Sequence, residues 1–172
     1  MKAAKSVQAP AEGRDPPLGD EEESLKDALG QTLDEARMVL PGVQALFGFQ
    51  LIAVYSDGFE RLLSEAERNL HLAAIVLVTI AIALLMTPAA YHRQVDRRRV
   101  TGEFLVLASR LVSGAMLPLA AGLSLDIQIV ARVVSRELLF ATALGIVVFV
   151  MFVILWFAFP RWRAASRRGP RH

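Results

Sequence analysis

Long blocks without charge constrain this fold more than any other feature of the chain. Leu138–Pro160 contains no charged residue, and Leu72–Tyr91 is a second uncharged block. A run of about 18 or more apolar residues is typical of a helix that crosses the hydrocarbon core of a bilayer, which is about 30 Å thick. A soluble core would instead spread its apolar residues at intervals along the chain. The sequence therefore predicts a membrane protein.

Two further apolar blocks complete a set of four spans. They are predicted at about residues 38–55, 70–91, 101–123 and 138–159. Helices satisfy their own backbone hydrogen bonds, so they are the usual way for such blocks to cross lipid. We therefore predict an all-α fold, with four transmembrane helices in a bundle over residues 23–160.

The segments outside the bundle have their own composition. Residues 1–22 are rich in Ala, Pro, Gly and acidic side chains and are expected to form a disordered cytoplasmic tail. In residues 23–40, leucines recur at every fourth position, which predicts a juxtamembrane amphipathic helix. A docking site for a soluble partner is the alternative interpretation of that helix. Pro41 is expected to start or bend the first span, and residues 161–172 form a basic cytoplasmic tail.

The connection between the first and second spans and the connection between the third and fourth spans are both polar. Ser56–His71 carries both acidic and basic residues and the spacing of a short amphipathic helix. Ser124–Glu137 is also amphipathic and contains Asp126. If both are connections, the spans contain no Asp or Glu near their middle.

The distribution of Lys and Arg predicts the orientation. These residues are concentrated before the first span, between the second and third spans, and after the fourth. Cytoplasmic loops carry an excess of Lys and Arg, so both termini and the central loop are expected in the cytoplasm. No cleavable signal peptide precedes the first block, so the first helix is expected to act as an uncleaved insertion signal.

One arginine inside the third span, Arg110, needs a polar partner. A charge near the centre of a span costs roughly 2.5–3.5 kcal/mol on insertion scales, so it usually faces the bundle interior and is paired. Gln44 of the first span lies at a similar predicted depth, about 9 Å against about 13 Å for Arg110, at 1.5 Å per residue. Glu103 shares the helix face of Arg110, and Tyr91 and His92 end the second span on the same side. These five residues form the predicted polar cluster.

The predicted polar cluster has two interpretations. It is a site for an ion, a proton or a lipid headgroup, or it is a structural network in which Arg110 also extends toward the headgroups. Ser109 and Ser113 in the third span, and Ala141 and Gly145 in the fourth, have the spacing of small residues at close helix contacts.

Several classes of chemistry are not indicated. The chain has no cysteine, and its three histidines lie on different segments without metal-ligand spacing, so no metal site is expected. No nucleotide-binding or nucleophile motif is present, so we expect neither a cofactor nor an enzyme. The arginines of the loop and tail are explained by a bilayer with anionic headgroups, so nucleic acid is not an expected partner. A homo-oligomer is a possible assembly.

Three strings carry a resemblance to a known family. They are Leu40-Pro41-Gly42-Val43-Gln44, Thr87-Pro88-Ala89-Ala90-Tyr91-His92-Arg93, and Ser109-Arg110. They resemble a family of small, uncharacterised bacterial membrane proteins with four spans, some of which are labelled sodium:proton antiporters. The resemblance covers roughly Leu25–Phe159 and implies a location in the bacterial cytoplasmic (inner) membrane.

Two functions follow as expectations. The first is a non-enzymatic accessory or stress-adaptation protein that acts through its bundle and its basic cytoplasmic surface. The alternative is an oligomeric cation/proton antiporter or another small transporter, with the predicted polar cluster lining the path. Cation–proton exchange needs a titrating group inside the membrane, and the predicted spans offer no carboxylate there. The sequence analysis therefore favours the accessory protein.

Overall fold

The computed structural model describes residues 18–94 and 102–167. These residues are helical apart from short breaks and contain no strand, which confirms the predicted all-α fold. The helices are α1 (Leu18–Val54), α2 (Asp57–Leu62), α3 (Glu65–Gln94), α4 (Gly102–Ser135), α5 (Leu138–Val153) and α6 (Phe159–Arg167), with a π-helical turn, Ile154–Ala158, between the last two.

Four helical segments are long and apolar enough to cross a membrane. They are Ser24–Val54, Glu65–Tyr91, Gly102–Ser135 and Leu138–Arg163. Large apolar side chains cover their outer faces, and some are almost fully exposed, such as Leu139 at 85%. A soluble protein rarely exposes so much contiguous apolar surface, whereas lipid solvates it readily. The chain therefore has the architecture of a multi-pass membrane protein.

The core lies where α1, α3 and α4 meet. α4 packs against both α3 and α5, and α1 lies against α3 and α4. The buried core residues are Ala36 and Val43 of α1, Val78, Ala81 and Leu85 of α3, and Val112, Ala115 and Leu119 of α4. Many of them are small, and small residues let helix backbones approach closely in a membrane.

Glycine marks the closest contacts of α4 with its neighbours. A Cβ atom on Gly122 would lie 2.9 Å from Cγ2 of Val78 in α3. On α5, Ala141 and Gly145 are buried, and a Cβ atom on Gly145 would lie 3.2 Å from the backbone oxygen of Ser124 in α4. These contacts confirm the packing point predicted on the fourth span.

Within the single chain, the predicted packing point on the third span is not buried. Ser109 and Ser113 lie on the exposed face of α4, while Ala108 and Val112 occupy the buried face. Small-residue spacing alone does not say which helix face is buried, because the same spacing occurs on every face.

α1 is longer and more continuous than the sequence predicts. It passes through Pro41, so Pro41 does not start a new helix and the lead-in helix and first span are one element. A proline inside a helix leaves one carbonyl without its usual donor, but membrane helices tolerate this. Residues 18–22, predicted to be part of a disordered tail, belong to α1; residues 1–17 lie outside the described residues.

α4 also continues past its predicted end. Residues 124–135, expected in a connection, extend the same helix, because apolar residues such as Ile129 keep filling its buried face. The helix ends at Arg136, whose positive φ of 59° and N–H bond to the Arg132 oxygen form a left-handed cap. In the other connection, the predicted short helix is confirmed as α2.

The remaining predicted segments lie at the edges of the described chain. The loop arginines at 97–99 and the last part of the basic tail, residues 168–172, are outside the described residues. The candidate fourth span ends at Arg163 rather than at residue 159, and helix α6 continues to Arg167.

Candidate functional site

Three polar side chains meet between α1, α3 and α4. Gln50 of α1 is 3% exposed and His71 of α3 is 7% exposed, while Asp126 of α4 lies between them, partly buried. Polar groups at such a position need partners, because lipid offers none. We call these three residues the triad.

Helical spacing brings the triad together. Gln50 follows buried Val43 by seven residues, which is two turns along the same face of α1. His71 precedes buried Ala74 by three residues, and Asp126 follows buried Gly122 by four. Each polar residue thus continues an apolar buried face, so helix packing directs all three side chains inward.

The carboxylate of Asp126 contacts both partners. Gln50 Nε2 donates a hydrogen bond of 2.6 Å to Asp126 Oδ2. His71 Nδ1 lies 3.4 Å from Asp126 Oδ1, which is within ion-pair distance. The other ring nitrogen, His71 Nε2, lies 3.0 Å from the backbone oxygen of Gln50. The ring of Phe59 closes the site, edge-on to His71 at 5.5 Å between centroids.

These contacts place one hydrogen on His71 Nε2 and a second proton between His71 and Asp126. The Gln50 backbone oxygen can only accept, so His71 Nε2 carries a hydrogen. His71 Nδ1 and Asp126 Oδ1 then face each other, and this contact is favourable when one proton lies between them. The proton is held either by the ring, as an imidazolium–carboxylate pair, or by the carboxyl group, which donates to the ring nitrogen. The His71–Asp126 pair is therefore a site for one proton.

One oxygen of the triad has no donor, and a second faces a ring nitrogen. Gln50 Oε1 is buried and accepts no hydrogen bond from any described residue, while the buried Asp126 Oδ1 faces His71 Nδ1 at 3.4 Å. A buried acceptor without a donor costs free energy, so such groups often mark a binding position. Amide and carboxylate oxygens are also ligands of hard cations.

An ion pair lies next to the triad, between the first turn of α3 and the last turn of α4. Arg132 Nε is 3.4 Å from Glu67 Oε1. Glu67 precedes His71 by four residues, so both side chains lie on one face of α3. The backbone N–H and the hydroxyl of Ser64 each donate to Glu67 Oε2 at 2.7 Å, in a capping box at the start of the helix. This arrangement holds Glu67 in position to pair with Arg132.

A surface cavity of about 440 Å³ adjoins that ion pair. It is lined by Arg61, Leu62, Ser64, Glu67, Arg132, Val133 and Arg136. The cavity lining therefore includes both members of the ion pair, and Glu67 lies one helical turn from His71 of the triad.

The predicted polar cluster lies toward the opposite end of the bundle from the triad. Gln44, Glu103 and Arg110 are all exposed, and among the described side chains no hydrogen bond or ion pair joins them. Tyr91 stacks on Phe104 at 5.0 Å, which places it beside the start of α4. The side chain of His92 is outside the described residues. A shared role for these residues stays a prediction.

Sequence reasoning missed the triad because two of its members were assigned to connections. His71 and Asp126 are polar and were placed at the ends of spans, although the apolar pattern continues past both. The three-residue spacing of His71 and Ala74, and the four-residue spacing of Gly122 and Asp126, is the signal that places them on buried faces. Among the described residues, no group of three or more Asp, Glu or His side chains suited to hold a metal ion is found.

Comparison with known proteins identified a family for this chain. The model of a family of unknown function (DUF6328) matches residues 20–160. No curated protein and no solved structure matched the chain.

Proposed function

The chain belongs to this family of unknown function, DUF6328, and we propose that it is a small, non-enzymatic protein of the bacterial cytoplasmic membrane that exchanges protons for a monovalent cation at the triad. One observation carries the proposal: the imidazole of His71 and the carboxylate of Asp126 face each other 3.4 Å apart in a position that suits one proton. Ionisable residues within spans that pair in this way are typical of proton pathways.

The position of Asp126 reduces the main objection to a transporter, because this carboxylate belongs to a membrane-spanning helix, although not to its middle. Exchange of a cation for a proton needs a titrating carboxylate within the membrane-spanning helices, and the sequence analysis placed Asp126 in a connection. In the structure Asp126 lies inside α4 and faces two other helices. Displacing the shared proton frees the carboxylate, and the spare oxygen of Gln50 adds a second cation ligand.

The predicted orientation suggests the side from which ions enter. With both termini in the cytoplasm, α1 and α4 run outward and α3 runs inward. The triad then lies toward the outer face, and the cavity beside Arg132 opens to the outside. A reporter fused to the C-terminus tests this orientation: activity only on the outer side of the membrane would contradict it.

Ion flux is the direct test of the exchange. The full chain, reconstituted in liposomes with an imposed pH gradient, receives Na⁺, K⁺ or Li⁺ in turn. We expect a cation-dependent collapse of the gradient that Asp126→Asn and His71→Gln each abolish. Asp57→Asn is the matched control, because it removes an exposed carboxylate from α2 at the same end of the bundle and should leave flux unchanged.

The same experiment separates the triad from the predicted polar cluster. If the cluster lines the path, Glu103→Gln and Arg110→Leu abolish flux; if the triad alone binds the ion, both variants retain it. Absence of flux across several pH values, in protein shown to be folded and inserted, contradicts the exchange.

An accessory or stress-adaptation protein is the second candidate, and the position of the triad favours it. Asp126 lies about 13 Å from the end of α4, in a helix about 50 Å long, so the triad is well away from the middle. A polar contact there ties three helices together without a path through the bundle. This candidate predicts that Asp126→Asn changes helix packing while flux is absent in every variant. Because the chain has no cysteine, pairs of introduced cysteines in α1 and α3 measure packing by crosslinking.

A further inference from the structure

A second cavity lies between α1 and α3 at the opposite end of the bundle from the triad. Its volume is about 400 Å³, within the range of pockets that hold small ligands. Leu85, on its α3 side, is fourteen residues from His71, which corresponds to about 20 Å along the helix. This cavity is therefore separate from the triad, and its occupant does not depend on the proposed ion exchange.

The cavity is apolar with two charges. Its walls include Leu33, Ala36 and Leu40 from α1 and Leu85 and Ala89 from α3. Arg37 of α1 and Arg93 of α3 also line it, and they are the charged members of its described lining. Both arginines are exposed, so their guanidinium groups are accessible to a ligand.

We propose that this cavity binds one anionic phospholipid, whose phosphate is held by Arg37 and Arg93 and whose acyl chain lies along the apolar wall. The charge of the cavity is complementary to an anionic headgroup. Guanidinium groups bind phosphate through two parallel N–H bonds, and basic pockets between membrane helices are typical headgroup sites.

A neighbouring carboxylate does not compete strongly for this site. Asp34 Oδ1 lies 3.6 Å from Arg37 Nη1, and both side chains are mostly exposed, at 69% and 81%. Exposed ion pairs of this kind contribute little, so a phosphate can take the place of Asp34. The two arginines come from different helices, and the bound lipid would therefore also hold α1 against α3.

Native mass spectrometry of the full chain in detergent tests the site. The protein is titrated with phosphatidylglycerol and, separately, with phosphatidylcholine that carries the same acyl chains. We expect one phosphatidylglycerol to bind with clear preference. Arg37→Gln with Arg93→Gln should weaken its binding by about 30-fold, or roughly five-fold for each arginine. Arg161→Gln with Arg163→Gln is the matched control, because it removes two exposed charges from the fourth span, and it should change binding less than two-fold.

Two further variants test the mode of binding. Ala89→Trp fills the apolar wall at an exposed position and should weaken binding although both arginines remain. Asp34→Asn should leave binding unchanged or strengthen it. Unchanged binding by the Arg37/Arg93 variant, an equal loss in the Arg161/Arg163 control, or equal affinity for the two lipids would overturn the proposal. Unaltered helical content and elution volume in each variant exclude misfolding as the cause of a loss.

Discussion

The carboxylate of Asp126 and the imidazole of His71 face each other across the contact of α3 with α4, with 3.4 Å between Oδ1 and Nδ1. This pair connects the fold with the proposed function, because the same atoms join two helices and hold one proton. The hydrogen bond from Gln50 brings α1 into the contact. Changes at these residues should therefore affect stability as well as flux.

Replacing the carboxyl group of Asp126 should destabilise the bundle moderately. Asp126→Asn keeps the size of the side chain but ends the sharing of a proton with His71. Polar contacts between membrane helices contribute on the order of 1–2 kcal/mol at most, so the free energy of unfolding should fall by about that amount. Thermal unfolding in detergent measures the loss, with Asp57→Asn as a control at an exposed carboxylate. Equal stability of the two variants would show that the triad carries no net interaction.

The stability of the wild-type chain should pass through a maximum with pH. While the pair holds one proton, the contact is favourable. Rising pH removes that proton and leaves the lone pair of His71 facing a carboxylate, whereas falling pH adds a second proton and leaves an imidazolium facing a neutral carboxyl group. Both changes weaken the contact.

The experiment for this maximum compares the wild type and the variants across a series of pH values. Besides His71 and Asp126, the charged groups on the packed helices next to the site are Glu67 and Arg132, while α1 contributes the neutral Gln50 and α2 contributes Phe59. Glu67→Gln should keep the maximum and Asp126→Asn should remove it. A maximum that survives Asp126→Asn would assign the pH dependence to another group.

The sequence was sufficient for the architecture but not for the triad. Apolar blocks such as Leu138–Pro160 define spans because their length and their lack of charge together suit the bilayer core. The meeting of Gln50, His71 and Asp126 depends also on the relative shift of three helices along their axes, and no local pattern records this shift. Asp126 is instructive, since a charged residue near the end of a span looks like part of a loop until its partners are known.

For Arg110, the sequence predicted a buried contact that the single chain does not contain. Its position inside an apolar block predicted a partner within the bundle, and the structure places it on an exposed face of α4. Arg110→Leu should therefore change the free energy of unfolding of the single chain by no more than about 0.5 kcal/mol, as for other surface substitutions. If a homo-oligomer forms through this face, the same variant should lower the oligomer fraction in chemical crosslinking. A large loss of stability in the isolated chain would point to a partner within the bundle.

The close approach of α3 and α4 can be tested at a single glycine. A Cβ atom on Gly122 would lie 2.9 Å from Val78 Cγ2 and 3.2 Å from the backbone oxygen of Ala74. Because backbone atoms cannot yield easily, Gly122→Ala should separate the two helices and lower the free energy of unfolding by about 1–3 kcal/mol. Gly114→Ala is the matched control on the same helix, since a Cβ atom there meets nothing within 4 Å and alanine favours the helix. Thermal unfolding of both variants measures the difference in stability. If Gly122→Ala is as stable as Gly114→Ala, α3 and α4 do not pack this closely.

Since Gly122 lies one turn before Asp126, a separation there should also weaken the contact of Asp126 with His71 and reduce flux, whereas Gly114→Ala should leave both unchanged.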